Sequence, residues 1–146
     1  MARMGIRLKI LISKKVGSVF MINILGQVMV YVYNQDEAVK FWTEKVGFTV
    51  ISEEDNGEGM RWIEIAPKKD SQTTIVLHNK ELIEKMNSGI NLGTPSLLFF
   101  TDDIEKLYKK LTNNNVNVGE IINMPTGKTF NFADSEENYF AVIERK

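Results

Sequence analysis

Few side chains in this chain of 146 residues can do chemistry, and their scarcity narrows the field. There is no cysteine and a single histidine, His78. Without a thiol there is no disulfide, no thiolate nucleophile and no cysteine-held metal. With one imidazole, no Ser-His-Asp relay can be argued. This composition suits a reducing cytoplasm, the compartment expected for the protein. Glu64 stands two residues beyond Trp62 in an extended run and shares its face. If that face lines a pocket, Glu64 is a lone carboxylate among aromatics, and desolvation raises its pKa into a range useful for acid–base work. If it looks out, Glu64 is an ordinary surface charge. His78 lies two residues beyond Val76 on the same face. With Gln27 and Glu64 it could assemble a shifted metal site; the competing reading is a strand-end residue bonded locally. Glu64 and His78 are therefore the candidate catalytic groups. The glycines sit at turns, and none forms a phosphate-cradling loop.

The elements that must position these residues occur twice. Gln27-Val-Met-Val-Tyr-Val32 and Ser96-Leu-Leu-Phe-Phe-Thr101 are short apolar runs, each followed by acidic or amide residues and a helical pattern. In the first run Val28, Val30 and Val32 alternate with Gln27, Met29 and Tyr31, the period of a strand with two usable faces. Asn34 starts a helix through Phe41 and Trp42, and Gly47 closes it in the left-handed conformation. Strands follow over residues 48–52, 60–66 and 73–78, with Asn56-Gly57 as the hairpin turn. After a linker, residues 79–95, the order recurs: a strand over 97–101, a helix capped by Asp102 or Asp103, and strands over 116–122, 128–133 and 138–144. The pattern predicts βαβββ twice, as modules 24–79 and 95–146 of one domain spanning 21–146.

Composition sets the outer bounds. Apolar residues make up 43% and charged residues 25%, ordinary for a globular domain of this length. A net charge of −1 supplies no field for nucleic acid or anionic lipid. No apolar run is long enough for a membrane span. Residues 1–20 differ: Arg3, Arg7, Lys9, Lys14 and Lys15 stand there without an acid. They read as a basic extension upstream of the domain or as the product of a misplaced start, not native to the protein, with a docking arm as the alternative.

The tandem βαβββ order, the run Asp36-Glu-Ala-Val-Lys-Phe-Trp42 and Lys45-Val-Gly-Phe48 resemble the vicinal oxygen chelate superfamily, which includes glyoxalase I, bleomycin-resistance proteins and extradiol dioxygenases. Asp134-Ser-Glu-Glu-Asn138 looks like a degenerate form of its Asp-Pro-x-Gly-Asn turn. The resemblance spans residues 24–146. It implies an α+β fold in which the two modules form a curved eight-stranded mixed sheet around a central cleft. Its metal-ligand positions fall on Gln27, Val76, Ser96 and Ala141. Valine and alanine cannot coordinate, so no metal and no cofactor are expected, a divalent metal being the alternative. Family geometry lines the cleft with Gln27, Met29, Tyr31, Val76, Ser96, Leu98, Phe100, Tyr139 and Ala141, and Trp62, Phe130 and Phe132 are added to that wall. The function this implies is binding of a small apolar or aromatic molecule, without nucleic-acid or membrane partners, by a homodimer. The alternative is a metal-dependent lyase or dioxygenase with displaced ligands.

Overall fold

The computed structural model describes residues 21–146 apart from Ser88; the expected basic extension, residues 1–20, lies outside the described residues. The alternation in β1 (Gln27–Val32) separates two faces. Val30 and Val32 are fully buried, whereas Gln27 is exposed and Met29 and Tyr31 are half-buried on the other side. The Asn34 side-chain oxygen then accepts from the Glu37 amide at 3.0 Å and starts α1 (Gln35–Lys40). The helix widens into a π-helical turn over Phe41–Val46, where the Gly47 amide donates to the Trp42 carbonyl at 3.0 Å. Gly47, at φ +98°, makes the left-handed closure that the sequence predicts. The wide turn turns two adjacent rings, Phe41 and Trp42, into the core.

The strands β2 (Thr49–Asp55), β3 (Arg61–Ala66) and β4 (Thr74–Asn79) complete a first sheet in the order β1-β4-β3-β2, with β1 and β4 parallel. After α2 (Lys80–Met86) the pattern repeats as β5 (Leu98–Thr101), α3 (Ile104–Asn113), β6 (Ile122–Met124), β7 (Gly127–Ala133) and β8 (Tyr139–Glu144). The second sheet runs β5-β8-β7-β6, and β5 and β8 are parallel. Asp103, not Asp102, caps α3 by accepting from the Lys106 amide at 3.1 Å. The α+β class and the tandem βαβββ order are thus borne out, with the eight strands divided four and four between two mixed sheets. One strand is shorter than its sequence suggests. Across residues 116–122 pairing is confined to a bridge between Val118 and Phe132, and the ladder resumes only at Ile122. Val116 turns into the core instead.

Both sheets pack on the same interior. Val30, Ile63, Ile65 and Leu77 of the first sheet and Phe130, Phe132, Phe140 and Val142 of the second belong to one cluster, with Phe41 and Trp42 between them. The Trp42 ring meets Phe99, Phe132 and Phe140 of the second sheet at centroid distances of 5.9, 6.0 and 5.1 Å. The other face of each sheet points away from this cluster; on the first sheet Thr74 and Val76 are buried there, and on the second Leu98, Phe100 and Tyr139 are exposed.

The β7–β8 turn adds a second tie between the modules. The buried Asp134 carboxylate accepts from the amides of Glu136 and Asn138, both at 2.9 Å, and from the Asn138 side chain at 3.0 Å. Glu136 then reaches the other module and accepts from the Tyr33 and Asn34 amides, each at 2.8 Å. Glu137 holds φ +61° at the place where the resembling turn carries glycine. A side chain in the left-handed region costs about 1–2 kcal/mol, partly offset by the entropy that glycine loses on folding, about 0.5–1 kcal/mol. Glu137→Gly is therefore expected to raise unfolding free energy by about 0.5–1 kcal/mol. A urea titration with an unchanged or lower midpoint would show that the turn is not strained.

Candidate functional site

The outward face of the first sheet is organised by strand register. Tyr31 of β1 pairs with His78 of β4, and His78 pairs with Trp62 of β3, so three rings cross the sheet in one row. Tyr31 and His78 stack at a centroid distance of 5.7 Å. The next row carries Met29, Val76, Glu64 and Ser52. Ser52 reaches that row through a bulge: the register of β2 shifts between Val50 and Ser52, and without the extra residue Ile51 would oppose Glu64. Gln27 and Thr74 pair one row further on.

Glu64 is the polar centre of this face. Its Oε2 accepts from the Thr74 hydroxyl at 2.6 Å and from the Gln27 amide at 3.3 Å, and its Oε1 accepts from the Ser52 hydroxyl at 3.0 Å. Hydrogen bonds to the ionised form favour it, the Thr74 bond most, so the pKa is lowered. Desolvation pulls the other way and loses. Of the two alternatives that the sequence leaves for Glu64, the carboxyl raised by burial among aromatics is not the one found, because three donors surround it. An ionised carboxylate accepts hydrogen bonds and attracts cations; it is a poor proton donor at neutral pH. His78 moves the opposite way to a charged switch, since burial lowers its pKa and keeps the imidazole neutral. Its Nε2 lies 3.2 Å from the Met29 sulfur. His78 and Glu64 share a face without touching through any hydrogen bond among the described residues.

The second sheet presents a different outward face. Leu98 of β5 pairs with Ala141 of β8, which pairs with Asn131 of β7; Phe100, Ile143, Thr129 and Ile122 form the next row. Leu98, Phe100 and Tyr139 are exposed, Phe100 at 66%. The Arg145 guanidinium lies 5.2 Å from the Phe100 ring centroid. This is an open apolar surface, whereas the first sheet's face is partly covered by its own side chains.

Several expected site residues fall elsewhere. Phe130 and Phe132 are not on the outward face; at 2% and 3% exposure they point into the shared core. Thr129 and Asn131 occupy the outward positions of β7, as Trp62 and Glu64 do on β3. The signal was the polar alternation of Thr129 and Asn131 with the two rings. Ser96 is exposed and precedes β5, outside its ladder. Thr74, and not Val76, lies in register with Gln27, and Val76 pairs with Met29. The residues expected to line the cleft, Met29 and Tyr31 on the first sheet and Leu98 and Phe100 on the second, lie on the faces away from the shared core.

The residues do not fit the metal site that the fold family implies. At its four mapped positions only Gln27 offers an admissible donor, its amide oxygen; Val76 and Ala141 have none, and Ser96 has a neutral hydroxyl. Elsewhere among the described residues, Asp103, Glu105 and Glu144 bring carboxylate oxygens within 4.8 Å of one another. That cluster is already engaged at the start of α3. Glu144 accepts from the Ile104 amide at 2.9 Å, and Glu105 pairs with Lys128 at 2.7 Å.

Comparison with known proteins agrees with the fold. The model of the Glyoxalase/Bleomycin resistance protein/Dioxygenase superfamily matches residues 24–142. The uncharacterized protein YetH of Bacillus subtilis (strain 168) is 35% identical over 125 residues, 85% of this chain and 100% of that protein. A solved structure of a member of the same superfamily from Sphaerobacter thermophilus DSM 20745 is similar with a TM-score of 0.75 at 26% identity, covering 86% of this chain and 100% of that one. TnmS3, an antibiotic binding protein from Streptomyces sp. CB03234, is similar with a TM-score of 0.73 at 26% identity, covering 87% of this chain and 99% of its own.

Proposed function

The chain belongs to the glyoxalase/bleomycin resistance protein/dioxygenase superfamily, and on that premise we propose that it binds a small aromatic or apolar molecule in a cup shared by two copies. The observation that carries this reading is the pair of outward faces. Each is lined with large side chains, and neither is closed by its own chain. Both β1 and β5 are edge strands. Laid beside the partner's β5, the β1 edge joins the two kinds of face into one curved eight-stranded sheet and covers edges that would otherwise invite nonspecific pairing. The enclosed surface then combines Tyr31, Trp62 and His78 from one copy with an apolar face from the other, the composition of a small-molecule pocket. Antibiotic binding by TnmS3, a protein of this fold at 26% identity, supports a binding role. Lyase or dioxygenase chemistry through a four-ligand metal lacks its donors at Val76 and Ala141.

The test separates binding from folding with a neutral dye, Nile red. Trp62→Ala and Phe100→Ala are expected to weaken dye binding by about tenfold or more while lowering unfolding free energy by less than about 1.5 kcal/mol, because both positions lie outside the core. Phe130→Ala, in the core, is expected to lower stability by about 3–5 kcal/mol. Equal loss of binding and stability at Trp62 and Phe100 would make them packing residues and end the reading.

A further inference from the structure

The proposed cup has one charge that the chain leaves unanswered. Glu64 is partly buried, and its three partners, Thr74, Gln27 and Ser52, are all neutral donors. A carboxylate offers about four acceptor positions. Oε2 takes two of the three bonds and Oε1 only one, so Oε1 keeps a lone pair free. The five ion pairs among the described residues do not include Glu64, although Arg61, three residues earlier, pairs with Asp36 and Glu53. A partly buried carboxylate held by neutral donors and without a paired cation draws one. One row away, Trp62, His78 and Tyr31 cross the sheet. Two residues along a strand span about 7 Å, the separation between an amine and the middle of an aromatic group two or three bonds away. Ring faces also favour a nearby cation through their quadrupole.

We propose that the ligand is a cationic aromatic amine, its ammonium donating to Glu64 and its ring lying against Trp62 and Tyr31. The proposal rests on the small-molecule reading above and adds its charge and polarity. A divalent cation fits less well, because Glu64 is the sole carboxylate within this hydrogen-bonded group and its neighbours Thr74 and Ser52 donate to it instead of turning their oxygens toward an ion.

The experiment compares two nearly isosteric probes, 2-(1-naphthyl)ethylammonium and 2-(1-naphthyl)ethanol, in NMR titrations that follow the Trp62 indole N–H and the His78 ring. The wild-type protein is expected to bind the ammonium at least about tenfold more tightly, the size of a charge-assisted hydrogen bond over a neutral one. Glu64→Gln keeps the shape and is expected to abolish that preference while leaving alcohol binding within about twofold. Ser52→Ala, which leaves the charge in place, is expected to retain the preference. Both probes binding equally to the wild type overturns the cationic assignment and leaves the small-molecule reading standing. Neither probe shifting Trp62 or His78 overturns both. Zinc or magnesium alone shifting the same signals, and losing that effect in Glu64→Gln, makes the site a metal site and overturns the amine.

Discussion

Trp42→Ala is expected to lower the unfolding free energy by about 3–5 kcal/mol, the range for deleting a large buried side chain. That is a large part of the roughly 5–15 kcal/mol that holds a domain of this size together. The indole is fully buried and stands where the modules meet. It touches Phe41 and Phe48 of its own module and Phe99, Phe132 and Phe140 of the other, at centroid distances from 4.9 to 6.0 Å. Alanine would leave a void bounded by both sheets, and neither can collapse into it without breaking its ladder. The effect should therefore appear as loss of cooperativity between the modules as well as loss of stability. Chemical denaturation followed by far-UV circular dichroism and by Trp62 fluorescence checks both. Two separated transitions in the variant, against one in the wild type, identify Trp42 as the coupling residue. Trp42→Phe is expected to cost far less, since the indole N–H has no hydrogen-bond partner to lose. If Trp42→Ala unfolds in one transition within about 1 kcal/mol of wild type, the shared core does not depend on this ring.

How much of this was legible in the chain depends on whether one strand or several decide a residue's surroundings. The valine alternation in β1, the Asn34 cap and the Gly47 closure are local, and each reads correctly from a few neighbours. The βαβββ repeat is legible for the same reason. Phe130 and Phe132 failed because both faces of this sheet carry apolar side chains, so period-two alternation fixes which residues share a face without saying which face is inside. Comparison with Ile63 and Ile65 of β3, and not with Trp62 and Glu64, gives the right phase. Glu64 was hidden for a different reason. Its environment is assembled from β1, β2 and β4, and Ser52 joins only because a bulge shifts β2 by one residue. No property of Glu64's own strand records that shift. The split of the strand expected over 116–122 is equally nonlocal, set by where β7 accepts pairing. The outward direction of the two faces was hidden for a larger reason: the repeat shows that two modules exist, and the rings of Phe41 and Trp42 decide that they pack back to back.

Phe100→Asp is expected to convert a dimer into a monomer and to remove ligand binding with it. In the proposed assembly the second sheet's outward face, with Phe100 and Leu98 exposed in the single chain, becomes a wall of the shared cup and is enclosed against the partner's first sheet. Burying one phenylalanine contributes about 1.5–3 kcal/mol, and two-fold symmetry places the substitution in the assembly twice. The loss is then about 3–6 kcal/mol, or roughly two to four orders of magnitude in the dimer dissociation constant. The new carboxylate adds repulsion toward the partner's own ionised acid on the facing sheet. Because Phe100 lies outside the core, the variant monomer should keep its fold and its thermal transition. Sedimentation velocity from about 1 to 100 μM, the micromolar range in which a dissociation constant near 1 μM corresponds to about 8 kcal/mol of association, reads the change directly. A wild-type protein that sediments as a monomer throughout would end the shared-cup proposal. A variant that stays dimeric but loses ligand would move the subunit contact away from this face and keep Phe100 as a ligand contact alone.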